Sequence, residues 1–101
     1  MYRSIVLTVG ELRFILENTV SCINDAGFAK IDPTMPDKLS KLAVLAGEAD
    51  MKEGKRLIEN LANTMRAILE GESTPESGNV RLTALDFYVQ KLDAGVKNEG
   101  L

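Results

Sequence analysis

The chain has 101 residues, a formal net charge of −3 at pH 7 and a pI near 4.9, and its length is typical of one folded domain. Hydrophobic residues make up 45% and charged residues 27% of the sequence, which is the composition of a globular domain and excludes a largely disordered chain. An acidic chain repels nucleic acid and anionic membranes as a whole. Nucleic acid is therefore an unfavoured partner unless a local basic patch overrides the total charge.

The sequence contains one cysteine, Cys22, and no histidine. A lone cysteine cannot form an intrachain disulfide, and neither a signal peptide nor a membrane-spanning apolar run is apparent, so the pattern favours a cytoplasmic protein with no membrane partner. Without histidine, the usual nucleophile–base pairs, His/Cys zinc sites and histidine phosphotransfer are excluded. No phosphate-binding or dinucleotide-binding glycine motif occurs. We therefore expect no enzymatic activity, no cofactor and no metal.

The first predicted helix covers residues 9–26. Thr8 and Glu11 have the spacing of a capping box, and Gly27 is placed to end the helix in a left-handed conformation. The apolar residues of this segment recur at helical spacing, at positions 9, 12, 15, 16, 20, 23 and 26. Cys22 is assigned to this apolar face, which predicts a buried, inert thiol. The β-branched residues before the helix favour a short extended N-terminal arm.

A second and a third helix are predicted at 36–48 and 51–70. The apolar rhythm of the second would land on Glu53 and Arg56 if it continued, whereas the third stripe runs through 54, 58, 61, 65 and 68. This phase shift predicts two helices rather than one, with Asp50 and Glu53 as a second capping box.

The last helix is predicted at 80–94, with Asn79 as its N-cap and Gly95 as its stop. The stretch "GESTPESGN" at 71–79 then forms a loop, because Pro75 bars a continuous helix and no large apolar residue is present. Four helices with short connections predict an all-α fold. The simplest form is a single domain over 1–101, built as a small antiparallel four-helix bundle.

Two local patterns have alternative interpretations. Glu48, Asp50 and Glu53 could gather a divalent cation, but helix caps and solvated acids explain them better. Residues 41–61, "KLAVLAGEADMKEGKRLIENL", resemble a repressor-type helix-turn-helix over 42–60. That resemblance implies a DNA-binding regulator, with possible DNA contacts at the start of the second helix: Lys52, Lys55 and Arg56.

A different set of residues does not fit the core stripes. Val80, Ala84 and Phe87 project together from the last helix, away from its core face, while Phe14 and Val44 lie off the stripes of their own helices. Exposed aromatic residues are typical anchors of protein interfaces. The sequence therefore predicts a small non-catalytic interaction module of the adaptor, chaperone, immunity or assembly-factor type. Phe14, Val80, Ala84 and Phe87 form its expected interface, and a homodimer is the commonest form of such an interface.

Overall fold

The computed structural model describes the backbone of residues 9–28 and 30–99 and the side chains of residues 10–28 and 30–92. Over these ranges the chain forms four α-helices and no strand: α1 (Val9–Ala26), α2 (Met35–Glu48), α3 (Lys52–Leu69) and α4 (Pro75–Glu99). The predicted all-α helical bundle is confirmed. The predicted N-terminal arm, and the capping box that requires Thr8, lie outside the described residues.

The helices are packed mainly in series. α2 packs against α3, α3 against α4, and α4 against α1. The molecule measures 45 × 38 × 20 Å with a radius of gyration of 14.0 Å, somewhat above the value of about 13 Å expected for a compact domain of 100 residues. Because α1 packs mainly against α4, many of its other side chains are exposed to solvent.

One apolar stripe from each helix forms the core. The buried side chains recur three and four residues apart, as helical periodicity requires, and burying each large one stabilises the fold by about 1.5–3 kcal/mol. The buried members are Leu12, Leu16, Val20 and Ile23 of α1, Leu39, Ala43 and Ala46 of α2, Ile58, Leu61, Ala62 and Met65 of α3, and Leu82, Leu85 and Val89 of α4, together with Phe28 and Met51.

The break between α2 and α3 lies where the apolar phase shifts, but its chemistry differs from the prediction. Asp50 has a φ of +64°, and the Met51 N–H donates to the Ala46 carbonyl at 2.8 Å. This is a Schellman ending of α2, a role usually taken by glycine, as Gly71 does after α3 with a φ of +77°. The prediction that Asp50 caps α3 is wrong, because the end of α2 uses this residue. Met51 precedes α3 instead, without a side-chain cap.

α4 begins at Pro75, within the stretch predicted to be a loop. The Ser77 N–H donates to the Thr74 carbonyl at 3.0 Å and lies 3.4 Å from the Thr74 hydroxyl, and Pro75 takes the first helical position, where its fixed φ suits the helix. The predicted cap at Asn79 is wrong because that residue lies inside α4. The predicted stop at Gly95 is also wrong, since α4 runs to Glu99 and an interior glycine costs a helix only about 1 kcal/mol.

The early start of α4 is supported by a contact from the connection that follows α1. Phe28 is 5% exposed, and a Cβ placed on Gly78 would lie only 2.5 Å from its Cδ1. The ring therefore lies directly on the backbone of the first turns of α4. This contact joins the end of α1 to the beginning of α4.

Arg66 joins α3 to α2. Its Nη2 donates to Ser40 Oγ at 2.9 Å and to the Pro36 carbonyl at 3.4 Å, and it forms an ion pair with Asp37 at 3.4 Å. These bonds connect the first turns of α2 to the last turn of α3. They fix the position of α2 relative to α3, and α3 forms part of the candidate functional site.

Candidate functional site: a groove between α3 and α4

A surface groove of about 380 Å³ lies between the first half of α3 and the middle of α4. Each helix contributes side chains spaced three or four residues apart, so that they share one face of that helix. The lining residues are Glu53, Arg56 and Leu57 from α3 and Ala84, Phe87, Tyr88 and Lys91 from α4.

The α4 wall contains two of the four predicted interface residues. Phe87 is 60% exposed and Val80 is 65% exposed, and Ala84 lies between them at helical spacing. Ala84 and Phe87 line the groove, and Val80 extends the same face towards the start of α4. Phe14 is also 60% exposed, but it projects from α1 and is not among the residues that line the groove. The predicted residues therefore lie on two surfaces rather than one.

Both walls of the groove carry a cation. The Lys91 Nζ lies 4.7 Å from the centroid of the Phe87 ring, a cation–π geometry that holds the ammonium beside the apolar face. Arg56 forms an ion pair with Glu53, with its Nε 3.4 Å from Oε1. Since Glu53 offsets Arg56, the charge of Lys91 gives the groove a net positive character.

Tyr88 closes the floor of the groove. A Cβ on Gly54 would lie 2.8 Å from the Tyr88 Cε2 atom, so the ring packs directly against the first turn of α3. Burial raises the pKa of Tyr88, a backbone hydrogen bond from Gly54 opposes this shift, and the Glu53 carboxylate adds to it. The phenol is therefore protonated at neutral pH and serves as a neutral, polar element of the groove.

Sequence reasoning missed Leu57, Tyr88 and Lys91 as site residues. One signal was present: the apolar stripe of α3 begins on Gly54, and a glycine at a core position leaves room for another group to approach the backbone closely. That group proved to be Tyr88. Which residue of α4 approaches Gly54 depends on how the two helices are aligned along their axes, and this alignment is not a property of either helix alone.

The residues proposed for DNA contact lie on α3, beyond the three-residue turn that follows α2. Lys55 Nζ lies 2.7 Å from Glu59 Oε2, and Arg56 pairs with Glu53. Lys52 is exposed. Because two of the three cations have a carboxylate partner on their own helix, this surface offers phosphate less positive charge than the sequence pattern implies.

Cys22 differs from the prediction. It is exposed and lines an open cleft of about 280 Å³, whose other apolar members are Ile23, Ala26, Ile31, Met35 and Met65. The prediction of a buried thiol is wrong, because Cys22 lies at the edge of the α1 stripe and α1 is covered mainly on the side that faces α4.

Glu48, Asp50 and Glu53 are all exposed. Among the residues that the structure describes, no three or more His, Cys, Asp or Glu side chains are grouped closely enough to hold a metal ion. The acidic residues at the α2–α3 junction therefore have no cation-binding geometry in the described part of the chain.

None of the helices, over the residues described, is both long enough and apolar enough to cross a bilayer. Comparison with protein families, with curated proteins and with solved structures finds no match to this chain. The groove and the exposed residues beside it are therefore the basis for any functional proposal.

Proposed function

We propose that this protein is a small non-catalytic interaction module, which binds another protein or a second copy of itself through the α3–α4 groove and the adjoining face of α4. The observation that carries the proposal is Phe87, an aromatic side chain that is 60% exposed at the wall of a groove. Val80 and Ala84 extend the same apolar face. Aromatic residues in such positions are typical anchors of protein interfaces.

The fold does not need this face. α4 already contributes Leu82, Leu85 and Val89 to the core, and each is at most 5% exposed. Val80, Ala84 and Phe87 lie on the other side of the helix, where burial by a partner would remove a continuous apolar strip from water. Covering one large apolar side chain contributes about 1.5–3 kcal/mol, which favours association against the loss of translational and rotational freedom. An adaptor, chaperone, immunity protein or assembly factor would use such a surface, and a homodimer is its commonest form.

The alternative is a DNA-binding regulator that uses residues 42–60. The helix–turn–helix corner of α2 and α3 and the exposed Lys52 favour it. The ion pairs of Lys55 and Arg56 with carboxylates of α3, and the chain's net charge of −3, count against it. We therefore keep the interaction module as the proposal.

Replacing Phe87 with glutamate tests the proposal. A charge at this position prevents burial of the face, so Phe87→Glu should lower the molar mass of the oligomer towards the 11.0 kDa monomer or abolish binding of the partner. Circular dichroism should show unchanged helicity because Phe87 makes no contribution to the core. Light scattering and analytical ultracentrifugation provide the measurement.

Val44→Glu is the matched control, since Val44 is 56% exposed on α2 and lies outside the groove. This variant should behave as the wild type. If Phe87→Glu has the molar mass of the wild type and retains every partner, the interaction proposal is wrong.

A further inference from the structure

The cleft that Cys22 lines lies where α1 and α2 approach each other at the two ends of the packing order α2–α3–α4–α1. We name it the Cys22 cleft. α1 contributes side chains near its end, α2 contributes Met35 and Lys38 at its beginning, and the connection between the two helices contributes residues 30–32. The cleft shares no lining residue with the α3–α4 groove, so it is a separate candidate site.

The inner surface of the Cys22 cleft is apolar. Ile23 and Met65 line it and are at most 3% exposed, so the cleft reaches the hydrophobic core, and Ile31 and Met35 pack beside them. An apolar ligand would remove this surface from water, which favours binding. The cleft volume of about 280 Å³ is close to the lower end of the roughly 300–1,000 Å³ that ligand clefts span. An α-helix is about 10–12 Å across with its side chains, so this volume suits a small molecule rather than a partner helix.

The lining of the Cys22 cleft has a net positive charge. Lys30 and Lys38 are exposed, and neither forms an ion pair with any residue that the structure describes. Among the described lining residues, Asp32 is the one carboxylate. Its Oδ1 accepts the Thr34 N–H at 2.9 Å and the Thr34 hydroxyl at 2.8 Å, and these hydrogen bonds, with a smaller effect of Lys38, lower the pKa of Asp32. Two ammonium groups therefore stand against one carboxylate that already accepts two hydrogen bonds.

We propose that the Cys22 cleft binds a small amphipathic carboxylate, with the chemistry of a medium-chain fatty acid. Its apolar body packs against Ile23 and Met65, and its carboxylate pairs with Lys30 and Lys38. Hydrogen bonds between an ammonium and a carboxylate are stronger than those between neutral groups, so the lysines select an anion over a neutral molecule of the same shape. This inference goes beyond the proposed function and does not depend on it.

Cys22 provides the readout of the experiment. It is the only cysteine of the chain and lines the cleft, so its rate of alkylation by N-ethylmaleimide reports on this cleft alone. Octanoate, used below its micelle-forming concentration, should slow alkylation in a saturable manner. Octanol should protect about four- to twenty-five-fold less effectively, because it lacks two lysine contacts worth about two- to five-fold each. Circular dichroism should show unchanged helicity throughout both titrations.

Lysine substitutions test where the carboxylate binds. Lys30→Gln and Lys38→Gln should each raise the half-protecting concentration of octanoate about two- to five-fold, and leave that of octanol unchanged. Lys41→Gln is the matched control, since Lys41 is an exposed cation of α2 outside the cleft, and it should behave as the wild type. The alkylation rate of each variant without ligand corrects for any change in the reactivity of the thiol itself.

Three results would overturn the inference. The first is alkylation that octanoate does not slow, and the second is equal protection by octanoate and octanol. The third is an alkylation rate that falls with protein concentration in the absence of ligand, which would identify a second copy of the chain as the occupant. Phe87→Glu should bind octanoate as the wild type does, so failure of this inference and failure of the interaction proposal are distinguishable.

Discussion

Two glycines allow aromatic rings to pack directly on the backbone of helices in this protein. Phe28 lies on Gly78, and Tyr88 lies on Gly54, each at a distance that leaves no room for a Cβ. In both places an aromatic ring packs on helix backbone, one ring supporting the start of α4 and the other forming the floor of the groove. The absence of a side chain at these two positions therefore shapes both the fold and the candidate site.

Alanine substitution of two helical glycines should have opposite effects. Gly78→Ala places a methyl group 2.5 Å from the Phe28 ring, so we expect a loss of about 1–3 kcal/mol of unfolding free energy from overpacking. Gly47→Ala meets only the flexible Lys55 side chain, at 3.0 Å, and should be stabilising by up to about 1 kcal/mol through helix propensity. Urea denaturation of both variants checks the pair. A Gly78→Ala variant as stable as the wild type would show that Phe28 does not pack there.

Helix interiors and helix ends differ in how well the sequence predicts them. The apolar stripes of α1, α2 and α3 each lie within one observed helix, because a buried face imposes its period on many residues at once. The predicted bounds of these three helices are within one residue of those observed, whereas the predicted start and end of α4 are not. Ends depend on single residues that can serve either of two neighbouring helices. Asp50 ends α2 rather than starting α3, and Thr74 with Pro75 starts α4 before the apolar stripe does. The capping-box pattern predicts Asp50 at the start of α3, and Pro75 is predicted only to bar a continuous helix, whereas in the structure Pro75 is the first residue of α4.

The backbone conformation of Asp50 leads to a prediction that distinguishes a Schellman ending of α2 from an N-cap of α3. If Asp50 were the N-cap of α3, Asp50→Ala would cost about 1 kcal/mol and Asp50→Gly a few tenths. With a φ of +64°, Asp50→Gly should instead be stabilising by up to about 1 kcal/mol, because glycine adopts this conformation without strain.

Gly71→Ala is the control for this interpretation. Gly71 has the same left-handed conformation after α3, with a φ of +77°, so alanine there should cost about 1–2 kcal/mol. Chemical denaturation measures all three variants. An Asp50→Gly variant less stable than the wild type would contradict the Schellman ending.

At the scale of the whole molecule, helix phase predicted the exposure of several large apolar side chains, although not that of Cys22, and it did not predict which exposed residues lie together. The exposed positions of Phe14, Val44, Val80 and Phe87 follow from the angle between each residue and the core stripe of its own helix. They project from three helices, α1, α2 and α4, and which of these faces adjoin depends on the order of helix packing, α2–α3–α4–α1, which periodicity does not determine. By contrast, the ion pair of Arg56 with Glu53 joins residues three apart on the same helix. Such a pair follows from the sequence spacing alone and does not depend on how the helices pack.

The distribution of charge over the whole chain leads to the last prediction, which tests the DNA-binding alternative. With a net charge of −3 and two of the three candidate cations held by acids on α3, the protein should not shift duplex DNA in a gel at low salt. Lys55→Glu and Arg56→Glu should make no difference. Each phosphate contact adds about 0.9 to the magnitude of the slope of log affinity against log salt concentration. Even weak binding through these residues would therefore be detectable as a salt dependence that the substitutions reduce.

Lys38→Glu, which changes an exposed cation outside residues 42–60, controls for the change in total charge. Binding that disappears in Arg56→Glu but persists in Lys38→Glu and Phe87→Glu would favour DNA as the partner of α3 over a protein in the groove.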